Sequence, residues 1–179
     1  MALMFNRTSV EVVEGDITTI PVDAIVNAAN TRLRGGGGVD GAIHGAGGPA
    51  ILEDCMRYKG CPTGQAVVTT AGRLPARHVI HTVGPVWKGG TRGEPELLAS
   101  CYATSLARAR EQGARSVSFP SISTGVYGFP FDEACRVAIA AIREFCMADD
   151  SIDRILLVAY GKHDAERYAR ILEGDTPLP

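Results

Sequence analysis

Short apolar runs alternate along this chain with segments in which apolar residues recur every three or four positions. The apolar runs predict strands at residues 10–13, 23–27, 66–71, 78–83, 117–120 and 154–160. The helically spaced segments predict helices at residues 40–46, 49–58, 98–109, 130–145 and 164–172. Because strands and helices alternate in this way, the sequence predicts an α/β domain with a mostly parallel sheet covered on both faces.

Four polar or glycine-containing segments come directly after predicted strands. They are Asp16, residues 27–48, residues 121–129 and residues 160–163. The carboxyl ends of parallel strands meet at one edge of a sheet, and ligands of such sheets bind outside that edge. We therefore expect the four segments to converge on one site.

The segment at residues 27–48 contains the highest density of glycine in the chain. Eight of the fourteen residues from Gly35 to Gly48 are glycines. Glycine loses more backbone freedom on folding than any other residue, so such a run is expected where the main chain must approach a ligand closely. A flexible linker is the alternative, but linkers of this kind mix glycine with serine. Here the run accompanies three polar candidates, which are Asn27, Asn30 and Asp40.

Composition narrows the class of protein. The chain of 179 residues is 45% hydrophobic, so we expect one domain spanning residues 1–179, with a frayed tail at about residues 174–179. The net charge of −2 gives no support for a broad nucleic-acid footprint. Five cysteines without C-x-x-C spacing favour a reduced, cytoplasmic protein over a disulfide or zinc framework. The chain shows no signal-peptide core and no run of membrane-spanning length, so no membrane partner is expected.

The two glycine-containing loops predict a site for a diphosphate. Each loop leads towards a helix start, where main-chain N–H groups can point at an anion. One such bond to a charged oxygen is worth roughly 1.5–3 kcal/mol, so four or five of them reach micromolar affinity after ordering costs. The sequence G-x-x-x-x-G-K-[ST] is absent, which argues against NTP hydrolysis. A dinucleotide fingerprint is also weak, because an irregular stretch separates the glycines from the preceding strand.

Four motifs in order resemble the macrodomain family, and within it the MacroD-type branch of ADP-ribose hydrolases. The motifs are G-D-I-T at residues 15–18, V-D-A-I-V-N-A-A-N at 22–30, G-G-G-G-V-D-G-A-I-H at 35–44 and S-I-S-T-G-V-Y-G-F-P at 121–130. The resemblance implies a three-layer α/β/α fold with a mostly parallel mixed sheet and binding of ADP-ribose. No cofactor or metal is expected, because no acidic pair is spaced for Mg²⁺ beside the glycines. It also implies hydrolysis of the ester that joins ADP-ribose to acidic protein side chains, and of O-acetyl-ADP-ribose.

The same resemblance implies roles for individual residues along the ligand. Asp16 and Ile17 would contact adenine, Asn27 would lie in the ribose pocket, and Tyr127 would pack against the distal ribose. The diphosphate would be wrapped on one side by Gly36, Gly37, Gly38 and Val39, and on the other by Ser123, Thr124, Gly125, Val126 and Tyr127. From the residues alone, Asp16 could equally be a turn or N-cap residue.

Asn30 and Asp40 are the candidate catalytic residues. Asn30 would orient a ribose hydroxyl or the attacking water. Asp40 would activate the water, or would hold the ribose so that a ligand phosphate oxygen does so, and an N-cap role is compatible with either. Tyr160 or His163 would stack on adenine, and the sequence leaves both open.

The remaining histidines are expected to be structural. His44 lies four residues after Asp40 and is expected to form a hydrogen bond on the same helix face. His78 and His81 alternate on a strand with no cysteine at ligand spacing, so no metal site is expected. Trp87 is expected to anchor a surface loop at residues 88–92.

The leading hypothesis is an enzyme that acts on O-acetyl-ADP-ribose and mono-ADP-ribosylated proteins. A rival hypothesis is a non-catalytic reader of ADP-ribose, which needs the same diphosphate loops but no Asp40. A further alternative is hydrolysis of ADP-ribosylated nucleic acid or of ADP-ribose 1″-phosphate. The sequence leaves the oligomeric state and the physiological substrate open.

Overall fold

The computed structural model describes residues 2–174. The strands are β1 (Ala2–Phe5), β2 (Thr8–Glu14), β3 (Ala24–Ala28), β4 (Ala66–Thr70), β5 (His78–Thr82), β6 (Ser116–Phe119) and β7 (Arg154–Ala159). The helices are α1 (Gly38–Gly47), α2 (Pro49–Cys55), α3 (Glu94–Glu111), α4 (Phe131–Ala148) and α5 (Lys162–Gly174). The expected tail at residues 174–179 falls mostly outside the described residues, and Gly174 ends α5.

The seven strands form one mixed sheet in the order β1-β2-β7-β6-β3-β5-β4. The five central strands, β2, β7, β6, β3 and β5, run parallel to one another, whereas the edge strands β1 and β4 pair antiparallel with β2 and β5. The sequence-based expectation of a mostly parallel sheet is therefore confirmed.

Helices cover both faces of the sheet, which gives the three layers. In β7, Ile155 and Leu157 pack with α3, α4 and α5, whereas Leu156 and Val158 pack with α1 and α2. Successive side chains of a strand point to opposite faces, so an unbroken apolar run is needed where both faces are buried. Each such side chain contributes about 1.5–3 kcal/mol relative to an exposed one.

The sequence reading missed the edge strand β1. The four-residue strand Ala2–Phe5 pairs with β2, and Asn6 turns the chain between them with a φ of 56°. Asparagine adopts this left-handed conformation more readily than most residues. A strand this short, exposed on one side, carries too few alternating positions to be recognised from sequence.

The four segments expected at one edge of the sheet do lie there. Strands β2, β3, β6 and β7 are mutually parallel, so their carboxyl ends share one edge. Asp16 and Tyr160 are neighbours at that edge, because the Gly15 N–H donates to the Ala159 carbonyl at 2.9 Å. Among the described residues, no helix has the length and apolarity required to cross a membrane.

Candidate functional site

The glycine loop between β3 and α1 is shaped by close main-chain contacts. Gly35 and Gly38 have φ values of 82° and 59°, in the region that favours glycine. At Gly41, a Cβ would lie 2.5 Å from the Gly36 carbonyl oxygen, so only glycine fits. Gly36, Gly37 and Gly38 are exposed, and Gly37 precedes the first residue of α1. The loop therefore presents bare main chain at a helix N-terminus, an arrangement suited to an anion.

Asn30 fixes the start of this loop. Its Nδ2 donates to the Gly35 carbonyl at 2.8 Å, and its Oδ1 accepts the Arg32 N–H at 3.2 Å. A Cβ on Gly36 would lie 3.7 Å from Asn30 Nδ2 and 3.3 Å from Asp40 Oδ2. Asn30 and Asp40 therefore face the same glycine from two sides.

Asp40 lies in the first turn of α1, with 5% of the residue exposed. Asn27 Nδ2 donates to Asp40 Oδ1 at 2.8 Å, and His44 Nε2 lies 3.3 Å from the same oxygen. The contact expected between His44 and Asp40 is therefore present. Oδ1 is held by these two neighbours, while Oδ2 faces the glycine loop. The carboxylate is thus fixed in orientation with one oxygen turned towards the ligand edge.

Asn27 needs a correction, because it does not line a pocket that a ribose could reach. The residue is 0% exposed and contacts Asp40 and His81 instead. Its position follows from β3, where Asn27 points towards the face covered by α1. Its effect on the site is to hold Asp40.

The loop between β6 and α4 forms the opposite wall of the site. Ser123 has a φ of 66°, which is unusual for a residue other than glycine, and its carbonyl accepts the Phe129 N–H at 3.0 Å. The side chain packs against Gly84, where any Cβ would collide with the Ser123 hydroxyl. Within residues 2–174, this buried Oγ has no hydrogen-bond partner. A left-handed backbone at a residue other than glycine is costly, and such strain clusters at functional sites.

The tip of this second loop is open to solvent. Gly125 and Val126 are exposed, Tyr127 is half-buried, and a Cβ added to Gly125 would meet nothing within 4 Å. In the part of the chain that the structure describes, the N–H groups of these three residues donate to no other main-chain group. Thr124, at the start of this tip, is held by its hydroxyl donating to the Ser121 carbonyl at 2.8 Å.

The family model described as "Macro domain" matches residues 26–138, which is more than half of the chain. The chain belongs to the Macro domain family. It is 52% identical to the O-acetyl-ADP-ribose deacetylase of Citrobacter rodentium, over 94% of this chain and 99% of that protein. The resemblance stated from the four motifs is thereby confirmed.

Solved structures of macrodomains share the fold. The Oceanobacillus iheyensis macrodomain solved with ADP is 41% identical, with a TM-score of 0.93, and the match covers 97% of this chain and 95% of that one. A Trypanosoma brucei macrodomain in complex with ADP-ribose is 41% identical, with a TM-score of 0.85, covering 90% of this chain and 68% of that one.

The residues that the resemblance assigns to adenine follow strands β2 and β7 in this macrodomain. Asp16 is exposed, and its Oδ1 accepts the Thr18 N–H at 2.9 Å, so the interpretation of Asp16 as an N-cap residue is confirmed. Ile17 is buried beneath it. Tyr160 is 87% exposed, and His163 is exposed in the first turn of α5. Capping uses Oδ1 of Asp16, so the other carboxylate oxygen can still accept a hydrogen bond from the amino group of a base.

A cluster beneath Asp40 brings a cysteine next to His81, although no cysteine stands at ligand spacing in the sequence. Cys55 Sγ lies 3.7 Å from His81 Nε2, and potential metal-ligating atoms of His44, Cys55 and His81 lie within 4.8 Å of one another. Sequence spacing missed this group because α2 brings Cys55 to β5 from 26 residues away. Burial, followed by the charges of Asp40 and Asp54, raises the pKa of the Cys55 thiol to about 11.

The hydrogen bonds of His81 explain why this cluster is structural. Burial, followed by the charge of His44, lowers the pKa of His81 to about 3, so the ring is neutral. Asn27 Nδ2 lies 3.0 Å from Nδ1, and Thr69 Oγ1 lies 2.8 Å from Nε2. The amide is a donor, so Nδ1 accepts and Nε2 carries the proton that it donates to Thr69. The Nε2 lone pair that a metal would need is therefore absent in this arrangement.

Sequence reasoning also missed Glu94, which supports the wall behind Tyr127. Glu94 begins α3, is buried, and accepts N–H groups of Lys88 at 3.0 Å, Gly90 at 2.7 Å and Arg92 at 2.6 Å. These bonds order the loop that follows Trp87. The only sequence signal is an acidic residue beside Pro95 at a helix start.

Trp87 connects that loop to the site, as expected of an anchored aromatic. Its N–H donates to the Tyr127 carbonyl at 2.8 Å, and its ring lies 4.7 Å from the ring of Phe129. Trp87 therefore connects the loop that Glu94 holds, residues 88–92, to the 121–129 loop.

We expect Glu94→Gln to lower the stability of the fold at neutral pH. Burial alone would favour the neutral acid, but the three N–H donors outweigh it and hold the pKa of Glu94 at about 2. A carboxyl whose pKa is depressed from 4.5 stabilises the fold above that pH and loses this contribution as the pH falls towards 2. Thermal unfolding should show a gap between wild type and variant at pH 7 that closes between these values. Glu96→Gln, an exposed change in the same helical turn, is the control. A gap independent of pH would contradict the assignment.

Proposed function

We propose that this macrodomain binds ADP-ribose and hydrolyses esters on its terminal ribose, releasing acetate from O-acetyl-ADP-ribose and freeing acidic side chains of mono-ADP-ribosylated proteins. The observation that carries the proposal is Asp40, a buried carboxylate with Oδ1 fixed by two neighbours and Oδ2 turned to the glycine loop. The name of the Citrobacter rodentium relative and the ADP-ribose in the Trypanosoma brucei macrodomain support it.

The two loops account for affinity without a lysine or a cation. The diphosphate would lie between residues 36–39 and residues 123–127, accepting main-chain N–H groups from both. Ser123 would shape this wall through its main chain, because its buried hydroxyl packs against Gly84 and is out of reach of a phosphate. Four or five charge-assisted bonds of roughly 1.5–3 kcal/mol each are sufficient for micromolar binding after ordering costs.

The proposed reaction adds one water across the ester. Asp40 Oδ2 takes a proton from the water as the water oxygen attacks the ester carbonyl carbon. The bond between that carbon and the ribose oxygen then breaks, and the ribose oxygen takes the proton back from Asp40. The products are ADP-ribose and a carboxylic acid, which ionises at neutral pH. Asn30, anchored through Gly35, would orient the ribose hydroxyl beside the water. General-base help of this kind is typically worth 10²- to 10⁴-fold in rate.

The rival proposal of a reader of ADP-ribose has less support. A reader needs the diphosphate loops alone, and burying a carboxylate in a binding wall is unfavourable unless neighbours compensate it. Here Asn27 and His44 provide that compensation and leave one carboxylate oxygen facing the ligand edge. An oriented buried carboxylate can accept a proton from water. Its negative charge, in contrast, does not help to bind a diphosphate, which is also negatively charged.

Release of free ADP-ribose tests the proposal. The full chain is incubated with O-acetyl-ADP-ribose, and separately with a protein that carries mono-ADP-ribose on glutamate, and the products are separated by chromatography. We expect acetate and ADP-ribose from the first and ADP-ribose from the second. Tight binding of ADP-ribose without any release would instead identify a reader. Release from the small ester alone would limit the activity to deacetylation.

For adenine recognition, we expect Tyr160→Ala to weaken ADP-ribose binding by roughly 10- to 100-fold, because stacking of a base on an aromatic ring is worth about 1–3 kcal/mol. Tyr160 is next to Asp16 at the sheet edge and exposes its ring, whereas His163 lies three residues further along, as the second residue of α5. Isothermal titration with ADP-ribose measures the change, and His163→Ala is the matched control, with an expected change of less than threefold. The reverse ranking would assign the stacking role to His163.

A further inference from the structure

The buried face behind Asp40 contains a continuous line of hydrogen bonds that ends on the candidate catalytic carboxylate. Asp40 Oδ1 accepts from Asn27 Nδ2, the same amide nitrogen lies 3.0 Å from His81 Nδ1, and His81 Nε2 lies 2.8 Å from Thr69 Oγ1. Each intermediate residue is almost inaccessible to solvent, with 0% of Asn27, 1% of His81 and 1% of Thr69 exposed. No water can replace a partner that is lost from such a line without a change of structure.

The chemistry of the donors fixes the direction of every bond in this line. The two amide hydrogens of Asn27 point to Asp40 and to His81, so Nδ1 must be an acceptor and the imidazole must be neutral. Thr69 accepts from Nε2–H and passes its own hydroxyl hydrogen to the Thr70 carbonyl at 2.9 Å. A charged imidazole would place two donors face to face between Asn27 and His81, and burial prevents that state.

We propose that His81 is a positioning residue for ester hydrolysis: its neutral ring anchors the Asn27 amide, and Asn27 in turn sets the orientation of the Asp40 carboxylate. The inference rests on the proposed function of Asp40. His81 is 1% exposed, so its effect reaches the reaction through Asn27. The side-chain amide oxygen of Asn27, Oδ1, has no hydrogen-bond partner among residues 2–174. Its orientation therefore depends wholly on what its nitrogen contacts.

The pairing of β3 with β5 explains how His81 reaches the side chain of Asn27. Asn27 and His81 are register partners on adjacent parallel strands, so their side chains project side by side towards α1 and α2. Thr69 on β4 lies beyond them and completes the line across three neighbouring strands. The sheet therefore holds the line rigidly, and Asp40 is held against it from α1.

Two substitutions separate the anchoring role from a role in packing. His81→Leu keeps an apolar side chain in the buried site but removes the acceptor for Asn27. His81→Asn places an oxygen near the position of Nδ1 and keeps that acceptor while losing the bond to Thr69. We expect His81→Leu to lower kcat by roughly 10- to 100-fold, as for a buried donor left unpaired, with little change in ADP-ribose affinity. His81→Asn should retain most of kcat.

A double-mutant cycle with Asn27→Ala tests the path of the effect. If His81 acts through Asn27, His81→Leu should cause no further loss of kcat once Asn27 is alanine, although it should cause a large loss in the wild-type background. Additive losses, or equal losses in His81→Leu and His81→Asn, would overturn the proposal. Thermal unfolding and calorimetric titration with ADP-ribose on every variant confirm that folded, ligand-binding protein is compared. Failure of the proposed function is distinct, because the wild-type protein itself would then release no product.

Discussion

Replacing Gly125 by valine is expected to weaken ADP-ribose binding at least about 100-fold while leaving the fold intact. Gly125 lies at the exposed tip of the 121–129 loop, its backbone is not in the left-handed region, and a Cβ there meets nothing within 4 Å. The substitution therefore adds no strain and no clash to the unliganded protein. A valine side chain would occupy the space in which the diphosphate should lie, and losing two charge-assisted hydrogen bonds costs about 3–6 kcal/mol.

Gly45→Val is the matched control for this prediction. Gly45 is exposed in α1, a Cβ there also meets nothing within 4 Å, and the position is seven residues after Gly38, the first residue of the helix. Isothermal titration should show near-wild-type affinity for Gly45→Val and almost no heat for Gly125→Val, with similar melting temperatures for both. Unchanged affinity in Gly125→Val would place the diphosphate elsewhere and remove the main support for the two-loop site.

The sheet and its ligand edge could be predicted because they depend on local patterns. A continuous apolar run is sufficient to place β7 at the centre of a sheet, and right-handed crossovers between parallel strands then bring the loops to one edge. The order of the glycine loop and the 121–129 loop on that edge follows from topology. Element boundaries agreed less well: α3 begins at Glu94 and not at Leu98, because Pro95 can occupy a first-turn position that the apolar spacing does not mark.

The contacts that orient the site could not be predicted, because they join residues far apart in the chain. The side chain of Asn27 was expected in the ribose pocket, yet it is buried against Asp40 and His81. Side chains along β3 alternate between the two faces of the sheet, and this alternation decides which face Asn27 occupies. A sequence motif cannot show whether a helix covers that face. The left-handed backbone of Ser123 was equally invisible, since nothing in a serine signals a positive φ. The motifs therefore predict candidate site residues, while the structure shows which contacts hold them in place.

Asp40→Asn is expected to reduce ester hydrolysis by about 10²- to 10⁴-fold while leaving ADP-ribose affinity within a few-fold of wild type. The amide has the shape of the carboxylate, and its oxygen can still accept the Asn27 N–H that now reaches Asp40 Oδ1 at 2.8 Å. The glycine loop should therefore keep its conformation. What the variant loses is an oxygen that can take a proton from water. Single-turnover hydrolysis of O-acetyl-ADP-ribose measures the loss, and calorimetric titration with ADP-ribose measures the affinity.

Asp16→Ala separates this loss from a general effect of removing a carboxylate at the site. Asp16 is exposed at the adenine end, so its replacement should weaken binding and leave the rate constant of the bound substrate unchanged. The two variants therefore have opposite expected signatures, one in turnover and one in affinity. Substantial turnover in Asp40→Asn would show that a phosphate oxygen of the ligand activates the water, and Asp40 would then be a residue that holds the ribose. Loss of affinity together with turnover would instead show that the carboxylate maintains the loop.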